Sequence, residues 1–448
     1  MLNSSTVFAL STPVGGAITV LRITGGDSRA ALSSVFTGKI EHGRIFHGRI
    51  VDESGGTVDE AMAVFFAGPR SYTGEDMAEI YCHGSYAVVQ RLTELLSASG
   101  LAVPAEAGEF TKRAYLNGKM DLIEAEAVMD LVSSSAERSR RAAVLQLSGR
   151  LSAVIGSFYD RVKLSAAELA NFMDDDSGEI ELHEHDFSLK LKEIFNEITL
   201  LADSGMRLRI LRDGAKLAII GSPNVGKSSL LNALIMRDRA IVTPIPGTTR
   251  DTVEESLSVE GIPVVLVDTA GIRESSDAVE RIGISRSLAA ADEADLILML
   301  FDGTREPDGG DMSILERICG RKAIAVLTKA DLENVISPDG KGLFLGFRAV
   351  RTSAVTGEGL SGLRKAIASE LLPSDCDDPI ITNTRHIAAL RSSASSLSAA
   401  SGLILSGDFD AAFFELREAM DGLAGILGVG DPSEELIDSV FKEFCIGK

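Results

Sequence analysis

Residues 221–228, Gly-Ser-Pro-Asn-Val-Gly-Lys-Ser, constrain what this chain can fold into more than any other stretch. In the pattern Gly-x-x-x-x-Gly-Lys-Ser, glycines let backbone N–H groups close on the oxygens of a phosphate chain. Lys227 reaches the β- and γ-phosphates, and the Ser228 hydroxyl is placed to ligate Mg²⁺. Such a loop needs a strand before it and a helix after it. The apolar run from Leu217 to Ile220 supplies the first, and Ser229 to Ile235 the second. The pattern implies an α/β domain whose phosphate contacts are Asn224, Val225, Gly226, Lys227, Ser228 and Ser229.

The remaining parts of a guanine-nucleotide site follow in order. Pro246-Gly247-Thr248-Thr249-Arg250-Asp251 offers threonine hydroxyls to Mg²⁺ and the γ-phosphate; on its own it would read as a Pro/Gly turn. Ile262 to Val267 reads as a buried strand ending in Asp268-Thr269-Ala270-Gly271. Asp268 then lies where it can organise the metal shell, with the Gly271 N–H facing the γ-phosphate. Apolar strands follow at Leu296 to Phe301 and Ala323 to Leu327, the latter ending in Thr328-Lys329-Ala330-Asp331. Asp331 selects the base, because its carboxylate accepts from both N–H groups on the N1/N2 edge of guanine. Adenine presents no such pair, and a buried acceptor left unpaired is costly. Thr328 stands where guanine pockets more often have asparagine; it is shorter and lacks the amide, which implies a weaker hold on the base. Thr352-Ser353-Ala354 fits the last base-contacting loop, through Ser353 and Ala354.

Hydrolysis needs a group that orients the attacking water. Small GTPases often place a glutamine after Asp-x-x-Gly to orient the attacking water. Here that position is Ile272, which cannot hydrogen-bond. Two residues offer another route. Asn224 can hold a cation against the phosphates, and Glu280, at the start of a predicted helix, can position water; otherwise Glu280 is a solvated helix carboxylate.

At 448 residues the chain has room for roughly three domains. Hydrophobic content of 45% beside 24% charged residues describes a globular chain. No run of about 18 uncharged apolar residues suggests a membrane span. The N-terminus lacks a basic segment before an apolar core, which argues against a secretory leader. Cys82, Cys319, Cys376 and Cys445 show neither a disulfide rhythm nor a zinc pattern, so a reducing cytoplasm fits.

The first 118 residues mix alternating strand patterns with glycine-rich turns, clearest at Ala17 to Ile23 and Ala78 to Cys82. From Asp121 the texture is helical: Asp121 and Glu124 form an aspartate version of a capping box, and apolar residues recur at Leu122, Ala125, Val128, Met129 and Val132. Unbroken to Leu147, this helix would be about 40 Å long. Helical texture runs to about residue 210 and resumes after Pro373, with Asp431-Pro432-Ser433-Glu434 as another start. The nucleotide domain, roughly 211–372, thus reads as inserted between two parts of one helical domain.

Weaker signals are read blandly. Asp174 to Asp186, with His183 and His185, is a solvated acidic loop rather than a metal site. Arg138, Arg140 and Arg141 form an exposed helix face, the alternative being contact with RNA phosphates. The net charge of −21 opposes broad nucleic-acid affinity.

Three groups of residues together resemble one family. They are Gly221 to Leu234 with Gly247 to Asp251 and Asp268 to Glu274; Tyr72 to Asp76 with Gly108 to Lys119; and the terminal Cys445-Ile446-Gly447-Lys448. The chain is similar along its length to the MnmE (TrmE) family of tRNA-modification GTPases. The resemblance implies a Ras-like P-loop GTPase domain, residues 211–372, inserted in an all-helical domain of residues 119–210 and 373–448. An α+β tetrahydrofolate-binding and dimerisation domain, residues 1–118, would precede them.

It further implies GTP hydrolysis by G domains that meet across a homodimer, with K⁺ in place of an arginine finger. K⁺ would be held by Asn224, Thr243, Ile245 and Thr248, and Mg²⁺ by Ser228 and Thr249. Glu280, Lys227 and Thr249 would be catalytic. Pro244 and Pro246 stiffen the K⁺ loop, which either preserves or impairs its carbonyl geometry; Ser222 replaces a frequent basic residue with no evident consequence. Folate would be bound by Arg22, Glu79, Lys119 and Lys448, as 5-formyl- or 5,10-methylene-tetrahydrofolate. Cys445 is either a reactive thiol near the folate or an idle cysteine, and Ser85 replaces a usual glycine.

By the same resemblance, the FAD-bound protein MnmG is the partner in a heterotetramer or larger complex. The two would add a carboxymethylaminomethyl-type group to C5 of the wobble uridine of tRNA. MnmG would supply the basic surface that this acidic chain lacks. Two alternatives stand beside this reading. One is an Era-like ribosome-assembly GTPase, which would carry an RNA-binding module after its G domain. The other is a GTP-binding switch with little hydrolysis, suggested by Ile272.

Overall fold

A computed structural model describes residues 5–175, 177, 179–236, 256–267, 291–333, 336, 344, 346–372, 381–430, 433–442 and 444–447. The chain divides into two compact units, each built from separate segments. One comprises Met1–Met129, Leu147–His183 and Ser406–Lys448; the other comprises Asp130–Gln146 and Glu184–Leu405.

The first unit is organised on a six-stranded sheet of β1 (Val7–Leu10), β2 (Ile18–Thr24), β3 (Phe46–Val51), β4 (Thr57–Phe66), β5 (Met77–His83) and β6 (Val103–Pro104). Its order is β3-β4-β5-β2-β1-β6, antiparallel except for the β1/β6 pair. Alternation decides which side chains go inward. Leu21, Ile23, Ile80 and Phe65 enter a core with Leu32 of α1 (Ser28–Val35) and Leu92 and Leu96 of α2 (Tyr86–Ala98). Val7 and Ala9 instead meet Phe110 of α3 (Glu109–Leu116).

Helix α4 (Leu122–Ser133) begins with the predicted reciprocal cap. The Glu124 N–H donates to Asp121 Oδ1 at 2.8 Å, and the Asp121 N–H donates to Glu124 Oε2 at 2.9 Å. The single long helix to Leu147 does not form: α5 starts afresh at Glu137–Leu147. The Ser134 hydroxyl donates back to the Leu131 carbonyl at 2.8 Å, competing with the helical ladder where three serines follow one another. In α6 (Arg150–Met173), Leu151, Ile155, Phe158, Val162 and Leu169 make one buried stripe. The described residues between Met173 and α7 (Glu184–Leu208) are irregular, and no His/Cys/Asp/Glu group able to hold a metal exists among the described residues.

In the second unit, α8 (Ile210–Asp213) leads into a sheet of β7 (Ala215–Gly221), β8 (Ser256–Val259), β9 (Ile262–Val267), β10 (Leu296–Asp302), β11 (Ala323–Thr328) and β12 (Arg348–Arg351). The order is β12-β11-β10-β7-β9-β8, parallel throughout except for β8 against β9. Both faces are covered, which is why these strands read as continuous apolar runs. In chain order the next described helices are α9 (Lys227–Met236), α10 (Gly309–Arg317) and α11 (Leu360–Leu371); Leu217, Ile219, Leu298 and Val326 face α9 and α11. Ala218, Ile220, Met299 and Leu327 face Leu315 of α10.

Hydrogen bonds tie the flanking helix α5 to the turn between β8 and β9 and to α8. The Arg138 N–H donates to the Gly261 carbonyl at 3.0 Å, and the Ser139 hydroxyl donates to the Leu211 carbonyl at 2.5 Å. Arg140 spends its guanidinium on Glu137 at 2.6 Å, on an exposed helix face. Helices α7 and α12 (Thr384–Ser406) approach closely at Gly205, where a Cβ would lie 2.8 Å from Ile387 Cγ1.

The chain closes with α13 (Phe409–Leu427) and α14 (Glu434–Lys442) in the first unit. Helix α13 packs along α6, with Phe172 and Phe409 edge-on at 5.1 Å. Helix α14 starts at Glu434 with Ser433 as its cap, its hydroxyl accepting from the Leu436 N–H at 3.2 Å. The start expected from Asp431 and Pro432 falls on positions outside the described residues.

Candidate functional sites

The phosphate-loop residues lie between the end of β7 and the start of α9, as their pattern requires. Asn224 takes φ 58°, in the left-handed region, and is exposed; Val225 beside it is buried, and Gly226 has φ 103°. The Lys227 ammonium donates to the Gly221 carbonyl at 2.8 Å and the Ser222 carbonyl at 2.9 Å. Burial pushes its pKa below the usual lysine value. Ser228 and Ser229 are exposed in the first turn of α9. An exposed loop with a lysine resting on its carbonyls fits a phosphate chain, which gives that ammonium better acceptors.

Thr328 takes a role the sequence did not suggest. Its buried hydroxyl lies 2.7 Å from the Val225 carbonyl and 3.1 Å from the Phe301 carbonyl, so it ties the end of β11 to the phosphate loop. Lys329 (φ 59°) extends to Asp302 Oδ2 at 2.6 Å. Burial disfavours the charge on Asp302, but Lys329 and Thr304 outweigh it and hold the carboxyl below its ordinary range. Asp302 was not singled out from the sequence; its place at the end of an apolar strand, followed by glycine, is the signal that was available.

Asp331 is exposed, and its Oδ1 accepts from the buried Ser353 hydroxyl at 2.6 Å. The Ala330 N–H donates to the Thr352 carbonyl at 3.0 Å, so the two base-side loops are joined, with Ala354 half-buried alongside. Thr243, Ile245, Thr248, Thr249, Asp268, Thr269, Ala270, Gly271, Ile272 and Glu280 lie outside the described residues, as do Pro244 and Pro246.

In the first unit, the structure brings together two of the four residues expected to bind folate. Arg22 Nε donates to Glu79 Oε1 at 2.8 Å across the β2/β5 pair. The other oxygen of Glu79 accepts from the Tyr81 hydroxyl at 2.5 Å. Burial, together with this carboxylate, pushes the Tyr81 phenol up to about 12, so it remains a donor. The Arg22 guanidinium also sits 5.7 Å from the centre of the Tyr72 ring. Lys119 packs its stem against Gly74, and its ammonium donates to the Pro69 carbonyl at 3.0 Å.

The loop 69–76 therefore borders both Arg22 and Lys119. It is fixed by Asn117, which donates to the Thr73 carbonyl at 2.7 Å, and by the Thr24–Thr73 hydroxyl pair at 2.6 Å. A carboxylate with donors on both sides keeps lone pairs for the amine edge of a pterin, so this donor set fits one. Tyr72, in the 69–76 loop, and Tyr81, on β5, were missed as candidates; an isolated tyrosine in a loop or strand carries little signal. Cys445 is an exposed free thiol, and Lys448 lies outside the described residues.

The family model described as MnmE helical domain matches residues 122–445, and that described as GTP-binding protein TrmE N-terminus matches residues 6–119. The tRNA modification GTPase MnmE of Oceanobacillus iheyensis is 38% identical over 461 residues, covering 100% of both chains. The chain belongs to the MnmE family of tRNA modification GTPases. It is a GTP hydrolase acting in tRNA modification. The MnmE of Natranaerobius thermophilus is 39% identical over 463 residues, again covering 100% of both. A crystal structure of an Aquifex aeolicus Era variant bound to GDP.AlF4- is 28% identical, covers 41% of this chain and 66% of that one, and has a TM-score of 0.28. No described helix is long and apolar enough to cross a membrane.

Proposed function

We propose that this MnmE-family GTPase is activated by K⁺. Its partner would be FAD-bound MnmG, in a heterotetramer or larger complex in the cytoplasm. Together they would add a carboxymethylaminomethyl-type group to C5 of the wobble uridine of tRNA. The one-carbon unit would come from 5-formyl- or 5,10-methylene-tetrahydrofolate held by residues 1–118, the dimerisation domain. Residues 119–210 and 373–448 would form the helical domain around a G domain of residues 211–372.

Lys227 neutralises the β- and γ-phosphates, while Ser228 and Thr249 would hold Mg²⁺. Asn224, Thr243, Ile245 and Thr248 would hold K⁺, which would offset the negative charge that develops as the phosphate bond breaks. Asp268 would organise the metal shell and the Gly271 N–H would face the γ-phosphate, with Thr269 and Ala270 among the nucleotide contacts. Glu280 orients the attacking water, the task Ile272 cannot perform. On the base side, Asp331 accepts from guanine while Ser353 keeps its carboxylate in place. Arg22, Glu79, Lys119 and Lys448 bind the folate.

The observation that carries this reading is the end-to-end likeness to tRNA modification GTPases, in a chain whose exposed Asn224 projects from the phosphate loop. GTP turnover measured in KCl and in NaCl, on wild type and Glu280→Ala, tests it. A large K⁺ stimulation that the substitution removes is expected; equal rates in the two salts refute the cation's part.

A further inference from the structure

Ser222, the second residue of the phosphate loop, commits its hydroxyl to α10. It donates to Oδ1 of Asp311, a carboxylate only 1% exposed. Oδ2 of Asp311 accepts from Arg305 Nη2 at 3.0 Å and from the Asp308 N–H at 3.2 Å. Asp308 in return accepts from the Gly310 and Asp311 N–H groups at 2.9 and 3.0 Å, closing a capping box at the start of α10. On the loop side, the Ser222 carbonyl accepts from Lys227 at 2.9 Å. One unbroken line of bonds thus runs from the cap of α10 through Asp311 and Ser222 to the phosphate-binding lysine.

Capping does not explain this arrangement. An acidic side chain at the third helical position completes a capping box just as well in water. Burying a carboxylate is costly unless its oxygens are satisfied, and here the last donor is supplied by the phosphate loop. We propose that Asp311 is a positioning residue of the nucleotide site. Through Ser222 it fixes the loop carbonyl on which Lys227 rests, so the loop holds its phosphate-binding shape before the nucleotide arrives. The idea rests on residues 221–228 being the phosphate loop.

A loop held in this way grips ground state and transition state alike. Its loosening therefore appears in KM and in nucleotide dissociation, with kcat preserved. A hydrogen bond to a buried charge is of the size that gives about a tenfold effect.

The experiment uses the full-length protein, steady-state GTP kinetics and the dissociation rate of N-methylanthraniloyl-GDP. Ser222→Ala is expected to raise KM and the dissociation rate about tenfold, with kcat within about twofold. Ser222→Thr keeps the hydroxyl and should match wild type. Ser222→Ala/Asp311→Asn should be no worse than Asp311→Asn alone, because the shared bond is already broken. An unchanged KM in Ser222→Ala, additive single effects, or a fall in kcat at constant KM would overturn the proposal. If Asp311→Asn does not fold, the Ala/Thr contrast at position 222 decides alone. Lys227→Ala is the reference: normal nucleotide binding by it would remove the loop reading itself, and the proposal with it.

Discussion

Arg113 has the largest side chain among those that the described residues bury completely. Its guanidinium donates to Glu109 Oε1 at 2.6 Å, to Glu75 Oε2 at 3.0 Å and to the Ser5 carbonyl at 2.9 Å. It thereby staples α3 to the 69–76 loop that borders the candidate folate residues. Glu109, one helical turn earlier, was legible from the sequence; Glu75 and Ser5 were not, because nothing in local spacing announces an interior arginine. Removing one partner of a buried ionic cluster strands the others, at a cost of about 3–5 kcal/mol. Arg113→Met should therefore lower the thermal midpoint of the unit holding the N-terminal sheet, followed by the near-ultraviolet signal of its tyrosines. An unchanged midpoint would show that the cluster contributes little. Position 328 carries a similar lesson. Asparagine's absence was visible, yet only the fold shows that a threonine hydroxyl spans the gap to Val225.

At the scale of elements, the second unit's sheet was readable strand by strand, since parallel strands buried on both faces cannot hide their apolar runs. Helix continuity was less readable. Leu122 to Leu147 keeps a helical period, and three successive serines were the one visible sign of the break between α4 and α5. The turn before α11 is subtler still. Gly359 holds φ 72°, and a Cβ there would lie 1.8 Å from the Arg351 carbonyl. That carbonyl precedes Thr352 and Ser353, the pair bonded to Ala330 and Asp331 on the neighbouring loop. Gly359→Ala adds a left-handed alanine, costing about 1–2 kcal/mol, and must also displace this backbone. GDP affinity is expected to fall at least about tenfold, because a shifted Ser353 no longer holds Asp331. Should GDP bind normally while the thermal midpoint drops, the two loops act independently.

At the scale of the molecule, the closing residues return to the opening strand of their own unit. Ile446 bridges Ala107, the Ser11 hydroxyl donates to the Gly447 carbonyl at 3.2 Å, and the Gly108 N–H donates to the Cys445 carbonyl at 3.4 Å. The sequence marked Cys445 to Lys448 only through family likeness; no periodicity could reveal a contact across most of the chain. The fit has no slack, because Gly447 takes φ 91° and a Cβ on it would stand 1.9 Å from the Leu10 carbonyl. Gly447→Ala therefore has to lift the tail off β1, and with it the lysine that follows. If Lys448 helps bind a folate beside Arg22 and Glu79, the substitution should weaken 5-formyl-tetrahydrofolate binding by about tenfold, the scale of one charged hydrogen bond. The KM for GTP should not move, since the phosphate loop belongs to the other compact unit. Calorimetric titration of the folate and steady-state kinetics on the same preparation separate the two effects. Undiminished folate affinity would place Lys448 outside the site, whereas a parallel loss of GTP turnover would mean that the docked tail supports the whole molecule.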